Sequence, residues 1–144
     1  MTVQTGLARL ASEGSSLLEG RRIGLLVNAT AVDTELRHAI DLLRARGDLK
    51  ITALFGPEHG VRGDAQDMIA VDAARDARSD LPVHSLYGTA AASLSPTPEM
   101  LDGIDVMVYD VQDVFHIAVR RCTSLFLPCR RCFVPGPTRR SAPA

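Results

Sequence analysis

Four short apolar runs constrain the fold of this chain more than any other feature of its sequence. Apolar residues in these runs follow one another instead of alternating strictly with polar ones, which is typical of strands covered on both faces of a parallel sheet. The runs are Ile23–Val27, Ile51–Phe55, Leu81–Tyr87 and Ile104–Tyr109. We therefore predict an α/β fold in which a mostly parallel sheet is flanked by helices.

Helical spacing of apolar residues accounts for much of the chain between these runs. It predicts helices over 6–19 and 34–46, and Pro98 suits the first turn of a further short helix. A polar loop is expected over 57–80, and Pro82 delays the start of the third strand or places that strand at an edge of the sheet.

Polar residues follow each of the four predicted strands. Ligands bind outside the carboxyl ends of the strands in parallel sheets, so these residues are expected to converge on one edge. In chain order, the four groups are Asn28 and Thr30; Glu58, His59 and Arg62; Tyr87 and Gly88; and Asp110, Gln112 and Asp113. This argument predicts a functional site without reference to any family.

The densest of these groups lies in the stretch from Phe55 to Gly63, F-G-P-E-H-G-V-R-G. A carboxylate beside an imidazole and a guanidinium can be tuned as a general acid or base. The alternative is a solvated loop in which Glu58 pairs with Arg62. Glu58 and His59 are adjacent, so on an extended segment they would point in opposite directions and need not act together.

Asp110 opens a second acidic cluster, D-V-Q-D. If the strand continues, Asp110 and Gln112 lie on the same side of it. An acid at the end of a strand is suited to sugar hydroxyls or a metal ion. The alternative is that Asp110 or Asp113 caps the N-terminus of a helix.

Two common nucleotide-binding patterns are absent from the sequence. The turn after the first strand, V-N-A-T-A, lacks the glycines of G-x-G-x-x-G, and no G-x-x-x-x-G-K-[ST] loop occurs. We therefore expect no nicotinamide, flavin or nucleotide cofactor. Separately, we expect no bound metal ion.

The N-terminus and the apolar runs bear on the compartment of the protein. No apolar run reaches the roughly 18 residues needed to span a bilayer. The first residues, M-T-V-Q-T-G-L-A-R-L, lack a basic region followed by a long apolar stretch. We therefore expect neither a membrane span nor a signal peptide, and by default a cytoplasmic protein.

The composition changes sharply near residue 115. All 17 acidic residues precede that point, whereas 115–144 hold six Arg, all three Cys and four of the eight Pro. We interpret 1–114 as one domain and 115–144 as an irregular basic tail.

The potential zinc ligands of that tail are His116, Cys122, Cys129 and Cys132. Poor ligand spacing argues against a zinc site, and the lack of a defined helix or an aromatic platform argues against nucleic-acid binding.

Five strings of the sequence occur in the order and spacing of a known family. They run from Arg22 to Thr30, from Ala53 to Gly63, from Leu81 to Gly88, from Pro96 to Leu101 and from Ile104 to Val114. Together they resemble the DUF1343 family, whose characterised members are exo-β-N-acetylmuramidases of the NamZ type. The resemblance covers about residues 3–114. Its most specific motifs are F-G-P-E-H-G-[IV]-R-G and [FY]-D-[IVL]-Q-D-V.

The resemblance implies the N-terminal part of a Rossmann-like domain that removes N-acetylmuramic acid from the non-reducing ends of peptidoglycan chains. Its expected partner is a muramyl sugar from peptidoglycan, and no nucleic acid is expected. The predicted catalytic residues are Glu58, His59 and Asp110, and the predicted substrate-binding residues are Asn28, Thr30, Arg62, Tyr87, Gln112 and Asp113. Glu58 matches the family's catalytic glutamate and is our choice for the general acid. The second group could be Asp110, Asp113, the sugar's N-acetyl group or a residue outside this chain, and retention or inversion is left open.

The chain departs from the family pattern at several points. Ala31 replaces the glycine of an N-x-T-G string that is frequent in the family. The lack of a predicted signal peptide is a second departure, because many relatives are exported. The largest departure starts at Phe115. A tail rich in Arg, Cys, Pro and Ala without acids is what an out-of-frame reading of GC-rich DNA produces. We interpret the tail as frameshift-derived and expect an incomplete domain with no activity of its own. The alternatives are a non-catalytic remnant and a small zinc-binding or nucleic-acid-binding protein.

Overall fold

The computed structural model describes residues 4–57, 60–63, 74–87, 91–111 and 132–133. Helices and strands alternate along most of this length. In chain order the elements are α1 (Gly6–Glu13), β1 (Arg22–Val27), α2 (Ala39–Ala45), β2 (Lys50–Gly56), β3 (Ala74–Arg75), β4 (Pro82–Ser85), a 3-10 helix (Ala91–Leu94), α3 (Pro98–Leu101), β5 (Val106–Asp110) and β6 (Cys132–Phe133). The four apolar runs of the sequence correspond to β1, β2, β4 and β5.

The strands form a single six-stranded sheet in the order β3-β4-β2-β1-β5-β6. All neighbouring strands are parallel except β3 and β4, which are antiparallel. The register pairs Val27 of β1 with Asp110 of β5, and Gly56 of β2 with Ser85 of β4. The carboxyl ends of these four strands therefore lie along one edge, and the prediction of a mostly parallel α/β sheet is confirmed.

Helices cover the sheet on one face, and irregular segments with α3 cover the other. On the first face, Leu10 of α1 and Ile40 of α2 pack with Leu25 and Leu54 of the sheet. On the opposite face, the partly buried Met100 and Leu101 of α3 pack against a second buried cluster. The members of that cluster are Leu26, Ala53, Phe55, Leu86 and Met107. Burial on both faces explains why the strands consist of continuous apolar runs in the sequence.

The second helix is shorter than its sequence pattern predicts. It begins at Ala39 and not near residue 34, because Asp33 organises the preceding residues into a tight loop. The Asp33 carboxylate accepts hydrogen bonds from the backbone N–H groups of Glu35 and Arg37 at 2.9 and 2.8 Å. Leu36 takes a left-handed conformation with φ of 59° and is 80% exposed. A side chain that bonds its own backbone in this way competes with helix formation.

The first helix also ends earlier than expected. It stops at Glu13 because Gly14 adopts a φ of +74°, and the Gly14 N–H bonds the Leu10 carbonyl at 3.1 Å. A glycine in this conformation is a common helix terminator. Residues 16–20 form turns instead of a further helical stretch.

Two short strands were not expected from the sequence. Ala74–Arg75 lies within the segment predicted as a loop and pairs with β4, and Cys132–Phe133 pairs in parallel with Met107 and Val108 of β5. Residues 64–73 and the remainder of the basic tail lie outside the described residues. The division into a domain over 1–114 and a tail over 115–144 stays a prediction.

Candidate functional site

The end of β1 carries a turn organised by Asn28. Its side-chain oxygen accepts hydrogen bonds from the Thr30 hydroxyl at 2.7 Å and from the Thr30 N–H at 3.2 Å. The Asn28 carbonyl accepts the Ala31 N–H at 3.0 Å. Asn28 and Thr30 are both half-buried, so two of the predicted sugar-binding residues are held together in one fixed turn at the carboxyl edge.

His38 reaches the same turn from the start of α2. Its Nε2 lies 3.0 Å from the Asn28 carbonyl, and its Nδ1 accepts the Ile40 N–H at 3.3 Å. These two contacts hold the imidazole ring between the Asn28 turn and the first turn of α2. The sequence places His38 on a predicted helix and indicates a surface residue. It does not reveal these contacts, because the partner lies ten positions away and the helix begins later than the pattern predicts.

Asp110 ends β5 directly beside the last residue of β1. Neighbouring strands in a sheet are about 4.8 Å apart, so this carboxyl group lies next to the Asn28 turn. Burial raises the pKa of the Asp110 carboxyl, and the proximity of His38 opposes that rise. A half-buried carboxyl group of raised pKa at a ligand-binding edge is a candidate for proton transfer.

The loop that leaves β2 folds tightly back over the end of its strand. A Cβ atom on Gly56 would lie 3.0 Å from the Val61 nitrogen and 3.1 Å from the Gly60 carbonyl carbon. The Gly60 N–H bonds the Pro57 carbonyl at 3.0 Å, so the chain is fixed on both sides of residues 58 and 59. A Cβ on Gly63 would lie 2.8 Å from the Ala29 Cβ, which shows that the loops after β1 and β2 are in close contact.

Arg62 of this loop forms ion pairs with two carboxylates. It contacts both oxygens of Asp41 on α2 at 2.8 and 2.9 Å, and both oxygens of Asp76 at 2.5 and 3.0 Å. The Arg62 guanidinium holds the pKa of the Asp76 carboxyl far below its usual range, and the pKa of Asp41 is also lowered by its hydrogen bonds with Arg62. Sequence analysis weighed Glu58 as the ion-pair partner of Arg62 and did not consider these two aspartates.

The end of β4 adds an aromatic residue to the same edge. Tyr87 is 39% exposed, and its N–H donates to the Ser85 hydroxyl at 3.3 Å. Within β4, the centre of the His84 ring lies 5.1 Å from the centre of the Phe55 ring. Burial lowers the pKa of the His84 imidazole. A partly exposed aromatic ring is well suited to stack on the face of a sugar.

Five of the nine predicted site residues can be placed in the fold. Asn28, Thr30 and Asp110 lie together at the ends of β1 and β5, and Arg62 and Tyr87 follow β2 and β4 along the same edge. The remaining four are Glu58, His59, Gln112 and Asp113, which lie outside the described residues. Their roles, and those of the five placed residues, stay predictions.

Other features of the described residues do not involve the predicted site residues. A shallow groove of about 410 Å³ between α1 and α2 is lined by residues such as Ala8, Leu42 and Arg46, and by none of the predicted site residues. Within the described part of the chain, no group of three or more His, Cys, Asp or Glu side chains could hold a metal ion. No helix among the described residues is both long and apolar enough to cross a bilayer.

The fold is an α/β domain with a mostly parallel sheet, the class of fold in which ligands bind at the carboxyl ends of the strands. A family model described as exo-beta-N-acetylmuramidase NamZ, N-terminal, matches residues 23–117. Peptidoglycan beta-N-acetylmuramidase NamZ of Bacillus subtilis (strain 168) is 47% identical to the chain over 112 residues. The chain therefore belongs to the NamZ N-terminal family, a family of glycoside hydrolases.

Two solved structures of DUF1343 family proteins from Bacteroides fragilis share the fold of this chain. One superimposes with a TM-score of 0.76 at 38% identity, covering 92% of this chain and 34% of its own. A second has a TM-score of 0.66 and 21% identity, covering 93% of this chain and 34% of its own, and supports the fold alone. The match to the Bacillus enzyme covers 78% of this chain and 26% of that relative. The chain thus spans about a quarter to a third of these proteins' length.

Proposed function

We propose that the carboxyl edge of this sheet is the muramyl-sugar site of an exo-acting glycoside hydrolase, which releases N-acetylmuramic acid from the non-reducing ends of peptidoglycan. The observation that carries the proposal is the position of Asp110. This half-buried carboxyl group of raised pKa ends β5 in register with Val27, beside the Asn28 turn. The 47% identity to a peptidoglycan β-N-acetylmuramidase supports the choice of substrate.

Each residue has a proposed role, and that of Glu58 rests on the family resemblance. Glu58 donates a proton to the leaving glycosidic oxygen, and His59 lies beside it in the chain. Asp110 is the second carboxyl group, and Asp113 is the alternative. Glycosidases place two carboxyl groups on either side of the scissile bond, about 5 Å apart for retention and about 6.5–9.5 Å apart for inversion.

Polar groups around these carboxyls hold the sugar. Asn28 and Thr30 are fixed by their mutual hydrogen bond at 2.7 Å and bind sugar hydroxyl or amide groups. Tyr87 stacks on the ring, and Gln112 and Asp113 follow Asp110 at the end of β5. Hydrogen bonds from a rigid turn require little reorganisation when the transition state forms.

The chain on its own is proposed to bind the sugar weakly and to release little product. It spans about a quarter of the length of the Bacillus relative, and glycosidic cleavage requires charged groups held in an enclosed geometry. Binding is therefore a more direct test of the site in this chain than turnover.

The proposed site can be tested by titrating the chain with N-acetylmuramic acid while recording two-dimensional amide NMR spectra. We expect shifts at residues 28–31, 60–63 and 110–111, at the carboxyl edge. Asp110→Asn should weaken binding about tenfold, since it removes a carboxyl group that can accept two hydrogen bonds from the sugar. Asp102→Asn is the matched control, because Asp102 is exposed and directly follows α3. Equal affinity of the two variants would remove Asp110 from the site.

A further inference from the structure

The guanidinium of Arg62 is already occupied by protein carboxylates. An arginine side chain has five N–H donors, and four Arg62 contacts to carboxylate oxygens lie at 2.5–3.0 Å. The Arg62 side chain is only 13% exposed. Little of its hydrogen-bonding capacity or surface is therefore left for a substrate.

Asp76 is a rigid anchor for this arginine. Its side chain is 4% exposed, and its Oδ2 also accepts the Ser79 N–H at 2.8 Å. The backbone of Asp76 is fixed as well, because its N–H bonds the Leu81 carbonyl at 2.9 Å and its carbonyl accepts the Asp80 N–H at 2.7 Å. Arg62 thus joins the loop after β2 to a turn that leads into β4.

Asp41 connects the same arginine to α2. It lies in the first turn of that helix and is 39% exposed, with Arg78 at a longer distance of 3.7 Å. We name the set Arg62, Asp41 and Asp76 the arginine clamp. The clamp joins the segment of Arg62 to two others, at Asp76 and Asp41, which lie 14 and 21 residues from it along the chain.

The counter-ions of the clamp also disfavour a role in recognising the substrate. The buried Asp76 carboxylate is ion-paired to Arg62, whereas Asp41 also lies 3.7 Å from Arg78. Moving Arg62 toward a sugar would leave the buried Asp76 carboxylate without its counter-ion, which is a costly state.

We propose that Arg62 is a positioning residue, which fixes the loop after β2 to α2 and to the turn at Asp76, and that it is not a ligand of the sugar. The inference rests on the proposed function in one respect, since Glu58 and His59 precede Arg62 in the sequence of this loop. Val61 is buried at 5% exposure in the core, and Gly60 bonds Pro57. The clamp therefore holds the C-terminal side of the segment that carries the proposed acid.

The first experiment needs no substitution. The Nε–H of Arg62 donates to Asp76, so its side-chain NMR signal in the 144-residue chain should exchange slowly with water. It should stay nearly unchanged when N-acetylmuramic acid is added at concentrations that shift the Asn28 and Thr30 amides. A rapidly exchanging signal, or an Arg62 shift as large as those of Asn28 and Thr30, would overturn the proposal.

The second experiment compares Arg62→Met with Asp76→Asn. Asp76 is too deeply buried to touch a sugar, so a ligand role for Arg62 predicts weak binding only in Arg62→Met. The positioning role predicts that both variants lose affinity for N-acetylmuramic acid by a similar factor, about tenfold. Both should also show faster amide exchange at Gly60, Val61 and Gly63.

Arg22→Met is the matched control for general loss of stability. Arg22 forms a two-contact ion pair with Asp105 at 2.9 and 3.1 Å, at the start of β1 and far from the carboxyl edge. Its removal should lower the melting temperature without changing sugar affinity or exchange in the loop. If Arg62→Met does not fold, Arg62→Lys and Asp76→Asn give the same comparison. Tight binding by Asp76→Asn alongside weak binding by either Arg62 variant would refute the positioning role.

A failure of the proposed function would give a different experimental result from a failure of the arginine clamp. A parental chain that shows no shifts with N-acetylmuramic acid would contradict the sugar site. The exchange rates of Gly60, Val61 and Gly63 in the variants would still decide whether the arginine clamp fixes the loop. Unchanged amide exchange in both Arg62→Met and Asp76→Asn would contradict the clamp, whether or not the chain binds N-acetylmuramic acid.

Discussion

At the scale of single residues, the role proposed for Asp110 conflicts with the stability of the fold. Burial raises the pKa of its carboxyl, so the folded state binds a proton more readily than the unfolded state. Linkage then requires that stability falls as pH rises through the pKa of the unfolded carboxyl toward the higher folded value. Above that window the folded protein carries a partly buried charge, which is unfavourable unless a ligand contacts it.

Asp110→Asn should therefore stabilise the chain at pH 7. The substitution keeps the shape of the side chain and removes the charge, so its benefit should shrink as the pH is lowered toward 4. Urea unfolding followed by circular dichroism at several pH values measures the difference. Asp102→Asn, at an exposed position, should change little across the same range. A variant that is less stable than the parent at neutral pH would show that the carboxylate form is favoured in the fold.

At the scale of elements, the four longer strands β1, β2, β4 and β5 were predictable from sequence, and the loops between them were not. A buried parallel strand is encoded locally, as in Ile23–Val27, because every position must be apolar. Arg62 pairs instead with aspartates 14 and 21 residues away, and His38 contacts a carbonyl ten residues away. Such contacts depend on the packed fold and leave no periodic signal. The late start of α2 has the same origin, since the Asp33 side chain bonds its own loop.

The turn out of β2 leads to a prediction about Gly56. An alanine Cβ there would meet backbone atoms of Gly60 and Val61 at 3.0–3.2 Å, and backbone in a fixed loop cannot yield easily. We expect Gly56→Ala to cost about 1–3 kcal/mol and to weaken binding of N-acetylmuramic acid. Gly24→Ala, in β1, is the matched control because its Cβ would meet only side chains of Ile104 and Met107 at 3.0 Å. Thermal melts should rank Gly56→Ala as the more damaging, and the reverse order would contradict a rigid loop.

At the scale of the whole molecule, the edge predicted from strand order alone is where the described site residues converge. Asn28, Thr30 and Asp110 were placed there by the rule for parallel sheets, and the register of β1 with β5 brings them together. The substrate class proposed for this edge comes from the family motifs, because fold alone does not identify a substrate. The chemistry of Glu58 follows from resemblance only and stays a prediction, since no contact of that residue is described.

The final prediction concerns turnover. The 144-residue chain should release little or no N-acetylmuramic acid from a muramyl disaccharide, because misplacement of catalytic groups by about 1 Å can cost about a hundredfold in rate. A version that continues after Val114 in the family's pattern should be active. Glu58→Gln in that version should abolish most of the activity, because the amide keeps the shape of the side chain but cannot donate the proton that the leaving oxygen needs. Release of the sugar from the disaccharide, measured side by side for the short chain, the extended version and its Glu58→Gln variant, decides between these outcomes. Equal rates for the last two would exclude Glu58 as the acid, and rapid turnover by the short chain would show that its own residues complete the cleft.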